Sequence, residues 1–271
     1  MIEDLKFKSY NEIKEFVDGI KEKQFHDDIF VEEISNFLKE DKRKNVNKLG
    51  ERLNNSINKY NKEVERVKKM YSFDLSFGKF DVIAGIDEVG RGPLAGPIVA
   101  AAVVLKNDIS DLDEVILGLN DSKKIQADKR EYLSDIIIES AESYNIALWD
   151  NIGIDEKGIA FCNNDIFIQA FKGLSVSPKL VLTDGYPIRG YTVNNVAVIK
   201  GDTKSASIAA ASIIAKVYRD KLMKEYSKLY PEYGFDKNVG YGTKEHIEAI
   251  KKYGITPIHR KSFLKSILGE E

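Results

Sequence analysis

The stretch Gly85-Ile-Asp-Glu-Val-Gly-Arg-Gly-Pro-Leu-Ala-Gly-Pro97, followed by the apolar run 98–105, decides how the chain folds. Residues 81–87 are rich in Val and Ile and read as a strand, and 97–105 read as another. Only 90–96 lie between them, too few for a crossover helix, so the two strands are expected to pair as an antiparallel hairpin. Gly90 and Gly92 let the backbone approach a ligand closely, and successive amides in such a turn can cradle an anion. Arg91 adds a fork that pairs with phosphate. A glycine-rich turn with nothing bound is the plainer alternative. A Walker A loop is excluded, because no Gly-Lys-Ser/Thr follows and the next element is a strand.

Downstream, strand-like runs at 145–150, 179–184 and 193–200 alternate with helical patterns at 127–144, 155–173 and 205–229. Strands separated by helices suit parallel pairing, so the expected class is α/β, a mixed five-stranded sheet flanked by helices. The run 206–215 is small and apolar on every side, as in a helix buried against a sheet. Pro231, Gly234, Gly240 and Gly242 mark a loop, followed by a helix over 243–253 and a short basic tail. The chain from about residue 231 thus forms a C-terminal helical segment. Trp149 and Cys162 show no partner pattern and read as core.

Upstream, residues 1–70 are helical throughout. Apolar positions recur at helical spacing in Ile13, Phe16, Val17 and Ile20, then in Ile29, Ile34, Phe37 and Leu38. Val46, Leu49, Leu53, Ile57, Tyr60, Val64 and Val67 mark one face of a longer helix. The pattern breaks over 71–79. This predicts an N-terminal helical extension over 1–72 and a second domain over 78–271.

Of the 271 residues, 43% are hydrophobic and 31% charged, which supplies a sizeable core and excludes a disordered chain. The longest apolar run, 98–105, falls far short of the ~18 residues of a membrane helix. The acidic N-terminus lacks a basic segment followed by an apolar one. A soluble, cytoplasmic protein with no membrane partner is expected. The single Cys162 excludes a disulfide framework and a cysteine-based zinc cluster. The net charge of −2 is unevenly spread: −6 over 1–41, +7 over 42–70 and −3 over the rest. The basic block reads either as a solvated helix face or, through Lys42, Arg43, Lys44, Lys59, Lys62, Arg66, Lys68 and Lys69, as a contact to duplex phosphates.

Acidic residues fall where the strands end. Asp87 and Glu88 close the first, Asp184 closes the fourth, and Asp202 follows the fifth. Sites gather at strand ends in open sheets, so these carboxylates can converge. Four clustered carboxylates repel one another unless they bind hard cations. Adjacent strand residues point to opposite faces, so Asp87 and Glu88 share a site only if the strand bends there. Asp184 before a glycine also reads as a turn residue, and Asp202 as a helix cap.

The block Gly85 to Leu105 resembles the first motif of the type 2 ribonuclease H family, in its bacterial ribonuclease HII branch. The resemblance continues in order through Asp121-Ser-Lys-Lys124, Leu182-Thr-Asp-Gly185, Gly201 to Lys216, Gly240-Tyr-Gly-Thr243 and Pro257-Ile-His-Arg260. It implies a ribonuclease H-like sheet and an endoribonuclease that hydrolyses the RNA strand of RNA–DNA hybrids. It also implies incision 5′ of ribonucleotides embedded in duplex DNA, leaving 5′-phosphate and 3′-hydroxyl ends. The family carboxylates fall on Asp87, Glu88, Asp184 and Asp202, which would hold two divalent ions, Mn2+ or Mg2+, one activating water and one stabilising the leaving oxygen. No histidine base is then required, and none of His26, His246 and His259 neighbours these acids in sequence. The resemblance further implies that Gly90, Arg91 and Gly92 read the 2′-hydroxyl, that Tyr241 stacks on the next sugar, and that Ser122, Lys123 and Lys204 contact phosphates. The chain departs from the family at Asn238-Val239, where a His-Lys pair is usual; this bears on one basic contact to nucleic acid. A monomer is expected.

Two other classes compete: an inactive nucleic-acid-binding module on the same fold, and a different two-metal phosphoryl-transfer enzyme. Four retained carboxylates count against the first, because a dead descendant has no physical reason to keep them. The Gly-Arg-Gly loop and Tyr241 count against the second, since the work the resemblance gives them is sugar discrimination.

Overall fold

In the computed structural model, which describes residues 2–25, 29–78, 80–106 and 114–269, His26 lies outside the described residues. Alternate residues of β1 (Ile83–Val89) enter different core layers, the period expected of a strand buried on both faces. Ala84 and Ile86 pack with Cys162, Ile166, Phe167 and Ala170, whereas Ile83 packs with Leu180, Leu182, Val198 and Ile208. β2 (Ile98–Val104) is buried at every position and pairs antiparallel with β1, from Ala84↔Val104 to Val89↔Val99. The hairpin is as the sequence predicts.

The remaining strands are β3 (Ser143–Trp149), β4 (Leu180–Asp184) and β5 (Asn195–Val198), and the sheet order is β3-β2-β1-β4-β5. β4 runs parallel to β1 and β5 parallel to β4. β3, however, is antiparallel to β2, although a helix lies between them. The intervening helix, α4 (Ala127–Ser140), packs against the long helix α7 (Ala206–Leu229) instead of crossing the sheet. The chain therefore re-enters the sheet beside the point where it left, and the Glu142 amide donates to the Val104 carbonyl at 3.0 Å. β4 and β5 are joined by an irregular loop rather than a helix.

Several boundaries differ from the sequence reading. Ser143 and Tyr144 belong to β3, not to the preceding helix. The single helix expected over 155–173 is two, α5 (Asn151–Lys157) and α6 (Ile159–Lys172), separated at Gly158 with φ +81°. The loop after Pro231 contains a 3-10 turn, Pro231–Tyr233, and a helical turn, α8 (Phe235–Asn238). α9 (Lys244–Tyr253) follows, and the basic tail contains a further helix, α10 (Lys261–Leu268). Tyr233, Phe235, Ala249, Ile250, Ile258 and Leu264 bury a satellite core there with Ala95 and Met223.

By its internal contacts the chain divides into Met1–Lys68 and Lys69–Glu271. In the first unit, α1 (Tyr10–Asp18) starts at a capping box: the Ser9 hydroxyl accepts from the Glu12 amide, and the Glu12 carboxylate accepts from the Ser9 amide at 2.8 Å. Ile13, Val17, Val31, Ile34, Leu38, Val46, Leu49, Leu53 and Ile57 form its core, drawn from α1, α2 (Ile29–Lys39) and α3 (Lys44–Leu75). α3 runs on to Leu75, past the expected break at Tyr71. Tyr71 is buried, and its hydroxyl accepts from the Ile116 amide at 3.2 Å.

Candidate active site

β1 and β4 are paired up to Ile86↔Thr183, so the next residues along the two strands are Asp87 and Asp184. Side-by-side strand ends thus bring two acids together that lie far apart in sequence. Asp184 Oδ1 accepts the Gly201 amide at 2.6 Å, tying the turn Gly201–Thr203, which carries Asp202, to the end of β4. Asp202 does not cap α7; that role falls to Ser205, whose hydroxyl accepts from the Ile208 amide at 3.1 Å. Across β1, α7 comes so close that a Cβ on Gly85 would lie 2.1 Å from the Ser207 carbonyl carbon. The absent side chain there sets the depth at which α7, and the turn before it, sits against β1.

The ladder of β1 continues unbroken through Glu88↔Ala100, so no bulge lies between Asp87 and Glu88. The two acids are nevertheless coupled. Burial, then Glu88 and Asp184, hold the Asp87 carboxyl well above its usual range. Burial pushes Glu88 up to about 7, opposed by Arg91 and reinforced by Asp184. Asp202 is raised by burial, then by Asp184 and Asp121. An all-oxygen, mutually repelling donor set of this kind fits a hard divalent cation. Among the described residues, no three of these groups stand close enough to chelate one ion as arranged, so the fit is one of donor type and charge.

Beside the acids, the Gly-Arg-Gly turn is braced from within by two fully buried arginines, which the sequence reading did not single out. Arg260 donates to the carbonyls of Gly90 (2.6 Å), Arg91 (3.0 Å) and Gly96 (2.9 Å). Arg219 donates to those of Ala95 (3.1 Å), Pro97 (2.9 Å) and Val239 (2.8 Å). In a trans peptide the N–H points opposite to the C=O. With the Gly90 and Arg91 carbonyls drawn toward Arg260, the amides of Arg91 and Gly92 face the other way as adjacent donors. Gly90 adopts φ +89° against the Arg219 side chain, which leaves no room for a Cβ. Burial lowers Arg219 to about 10 and Arg260 to about 9, so both stay charged at neutral pH. One signal for Arg219 existed: it continues the buried row Ala211, Ala215 at helical spacing, an odd place for a charge.

Other expected residues are placed unevenly. The half-exposed Tyr241 ring faces Gly92, where a Cβ would stand 3.9 Å from its Cε1. Ser122 is buried, hydrogen-bonded to the Ser212 hydroxyl at 2.8 Å, and Ser212 in turn faces Asp87. Exposed Lys123 acts electrostatically on both Glu88 and Asp202. Lys204 is exposed at the end of the Asp202 turn. Asn238 does structural work: it donates to the Tyr233 carbonyl at 2.6 Å and accepts the Gly240 amide at 2.8 Å. Tyr186, unremarked in the sequence, lies half exposed under the Arg91 guanidinium, 4.5 Å from ring centre to charge.

A sequence model described as Ribonuclease HII matches residues 84–266, and one described as Ribonuclease HII N-terminal domain matches 11–77. The chain belongs to the ribonuclease HII family. A ribonuclease HII of Clostridium perfringens strain 13 is 62% identical over 238 residues, covering 88% of this chain and 87% of that one. A ribonuclease HII of Clostridium beijerinckii is 55% identical over 266 residues, 98% of each chain. The crystal structure of ribonuclease H2 from Pyrococcus horikoshii superimposes with a TM-score of 0.58 at 30% identity, covering 69% of this chain and 96% of that one. Family membership makes the chain a hydrolytic ribonuclease of the H type, and the mixed sheet with its flanking helices is the fold of these relatives. No helix among the described residues is long and apolar enough to cross a membrane.

Proposed function

We propose that the chain is a divalent-metal-dependent endoribonuclease that cleaves the RNA strand of RNA–DNA hybrids and incises 5′ of ribonucleotides embedded in duplex DNA. The observation that carries this reading is the hold of Arg260 on the Gly90 and Arg91 carbonyls, which turns the Arg91 and Gly92 amides away from it, in a loop that directly follows the acids at the end of β1. Asp87, Glu88, Asp184 and Asp202 would hold two ions, Mg2+ or Mn2+. When bound, such ions lower the pKa of a water and stabilise charge on the phosphate and leaving oxygen.

The chain's own groups supply the rest. The Arg91 and Gly92 amides donate to the 2′-hydroxyl of the ribonucleotide on the 3′ side of the cut, which a deoxyribose lacks. The Tyr241 ring, on the Gly92 side, stacks on the following sugar and favours a deoxyribose there. Arg91, steadied by Tyr186, and Lys123 meet the phosphate charge, and exposed Lys204 adds a backbone contact, whereas Ser122 is buried with its hydroxyl on that of Ser212. The products carry 5′-phosphate and 3′-hydroxyl ends.

The test is cleavage of a DNA duplex carrying one ribonucleotide, with Mg2+ or Mn2+, by the wild-type chain and by Asp87→Asn. Incision 5′ of the ribonucleotide, lost in the variant, supports the reading. Retained binding without incision in either metal would leave only a nucleic-acid-binding module.

A further inference from the structure

His246 and His259 are both fully buried, with their Nε2 atoms 3.0 Å apart. The two outer ends of the pair dictate which nitrogen of each ring carries hydrogen. His246 Nδ1 lies 2.9 Å from the Tyr241 carbonyl oxygen, which can only accept, so Nδ1 is protonated and Nε2 is bare. His259 Nδ1 accepts the Thr256 amide at 2.8 Å, so Nδ1 is bare and Nε2 is protonated. The inner contact then has one donor and one acceptor, as it must. Two independent ends thus agree on a single polarity, from the Thr256 amide through His259 and His246 to the Tyr241 carbonyl.

The surroundings favour two neutral rings. The edges and faces of Tyr233 and Phe235 enclose both imidazoles at centroid distances of 5.3 to 6.3 Å. Burial lowers His246, and burial followed by its neighbour His246 brings His259 down to about 4. The relay is also continuous with the brace of the Gly-Arg-Gly turn. His259 and Arg260 are consecutive, so one short segment reaches the Tyr241 carbonyl by way of His246 and holds the Gly90 and Arg91 carbonyls directly.

We propose that His259 and His246 are positioning residues: a fixed-tautomer relay that holds the Tyr241 carbonyl, and hence its ring, in register with the Gly92 amide on the substrate's two adjacent sugars. This rests on the sugar-reading role given above to Gly92 and Tyr241. The histidines touch no reacting atom. Their effect on the reaction is to set where the second sugar lies relative to the first.

Nitrogen-15 NMR of the full-length wild-type chain at neutral pH reads the relay directly. One buried imidazole in the Nδ1–H form and one in the Nε2–H form, coupled across their Nε2 atoms, is the expected result. An imidazolium, or two rings in the same tautomer, overturns the proposal. Kinetics on duplexes with one ribonucleotide, or a run of them, read its consequence. His246→Leu is expected to raise KM by on the order of tenfold with kcat changed far less, and to erase the preference for a deoxyribose directly after the ribonucleotide. His246→Asn, whose amide can still donate to the Tyr241 carbonyl, should restore most of that preference. Equal loss in both variants, or a fall confined to kcat, overturns the positioning role. If the wild type cuts neither duplex while the tautomers stand as expected, it is the nuclease reading that fails, and the functional half of this proposal with it.

Discussion

Arg260 donates to the Gly90 carbonyl at 2.6 Å from a position with no solvent exposure. The same guanidinium serves Arg91 and Gly96, a fork that a single ammonium cannot reproduce. Arg260→Lys therefore keeps the charge and loses the geometry. We expect a loss of about 2–3 kcal/mol in stability, from carbonyls left without donors in a buried site. The preference for a ribonucleotide should weaken with it. Thermal denaturation and paired cleavage assays check both, and an unchanged preference would detach the brace from sugar reading.

At Gly85 the backbones of β1 and α7 come so close that a Cβ would lie 2.1 Å from the Ser207 carbonyl carbon. A methyl group there meets the backbone of Ser207 and Ile208, which cannot swing aside as a flexible side chain could. Gly85→Ala should cost about 1–3 kcal/mol by overpacking and displace the start of α7. Activity should fall even below the melting temperature, because the Asp202 turn leads directly into that helix. Full activity in a destabilised variant would show that the turn does not follow the helix.

Asp74, buried near the end of α3, accepts the Ser207 amide at 2.9 Å. Burial, opposed by the Ser205 and Ser207 hydrogen bonds, raises its pKa from 3.8 to about 6. A raised carboxyl pKa means that the fold favours the protonated form. The stabilisation is therefore complete below pH ~4 and is lost as pH rises through about 6, an amount of up to about 3 kcal/mol. Asp74→Asn has no such titration. The stability of the variant relative to wild type should rise between pH 4 and 6.5 and then level off, as urea unfolding would show. A constant difference across that range would mean that Asp74 carries an ordinary pKa.

Lys59 and Lys62 lie exposed in the basic block of α3, whereas Arg43 and Arg66 are engaged with Asp41 and Glu63. If this face meets duplex phosphates, Lys59→Gln with Lys62→Gln should flatten the dependence of log affinity on log salt by about one to two. The site of cleavage should not change. An unaltered slope would leave the face solvated. Truncation at residue 70 is a poorer test, since it cuts α3 before Tyr71 and Asp74, whose hydrogen bonds reach Ile116 and Ser207.

What could be read in the sequence was whatever rests on local rules. The short Gly-rich link forced the β1–β2 hairpin, and the placing of Asp87 and Asp184 at strand ends was legible, although position alone left Asp184 as a turn residue and Asp202 as a helix cap equally open. Strand direction was less accessible, because it depends on the end at which the chain re-enters the sheet; β3 turned antiparallel once α4 packed on α7. Arg219 and Arg260 stayed hidden for a different reason. All but one of their partners are backbone carbonyls more than a hundred residues away, and a carbonyl carries no residue identity to recognise. Asp74 is similar: a lone acid in a helical stretch does not reveal that it receives the first turn of another helix. Asn238-Val239, which departs from the family pair, proved to contain a turn-closing asparagine.

The two arginines grip the loop 90–97 by its main chain alone. Such a grip is blind to the side chains the loop displays. The shape of the loop and the chemistry of its tip are therefore separable properties, one stored in α7 and the residue before α10, the other in whatever stands at position 91. Residue 91 can be exchanged without re-moulding the turn around it, so this tip is a natural place to rewrite what the enzyme tolerates beside a sugar.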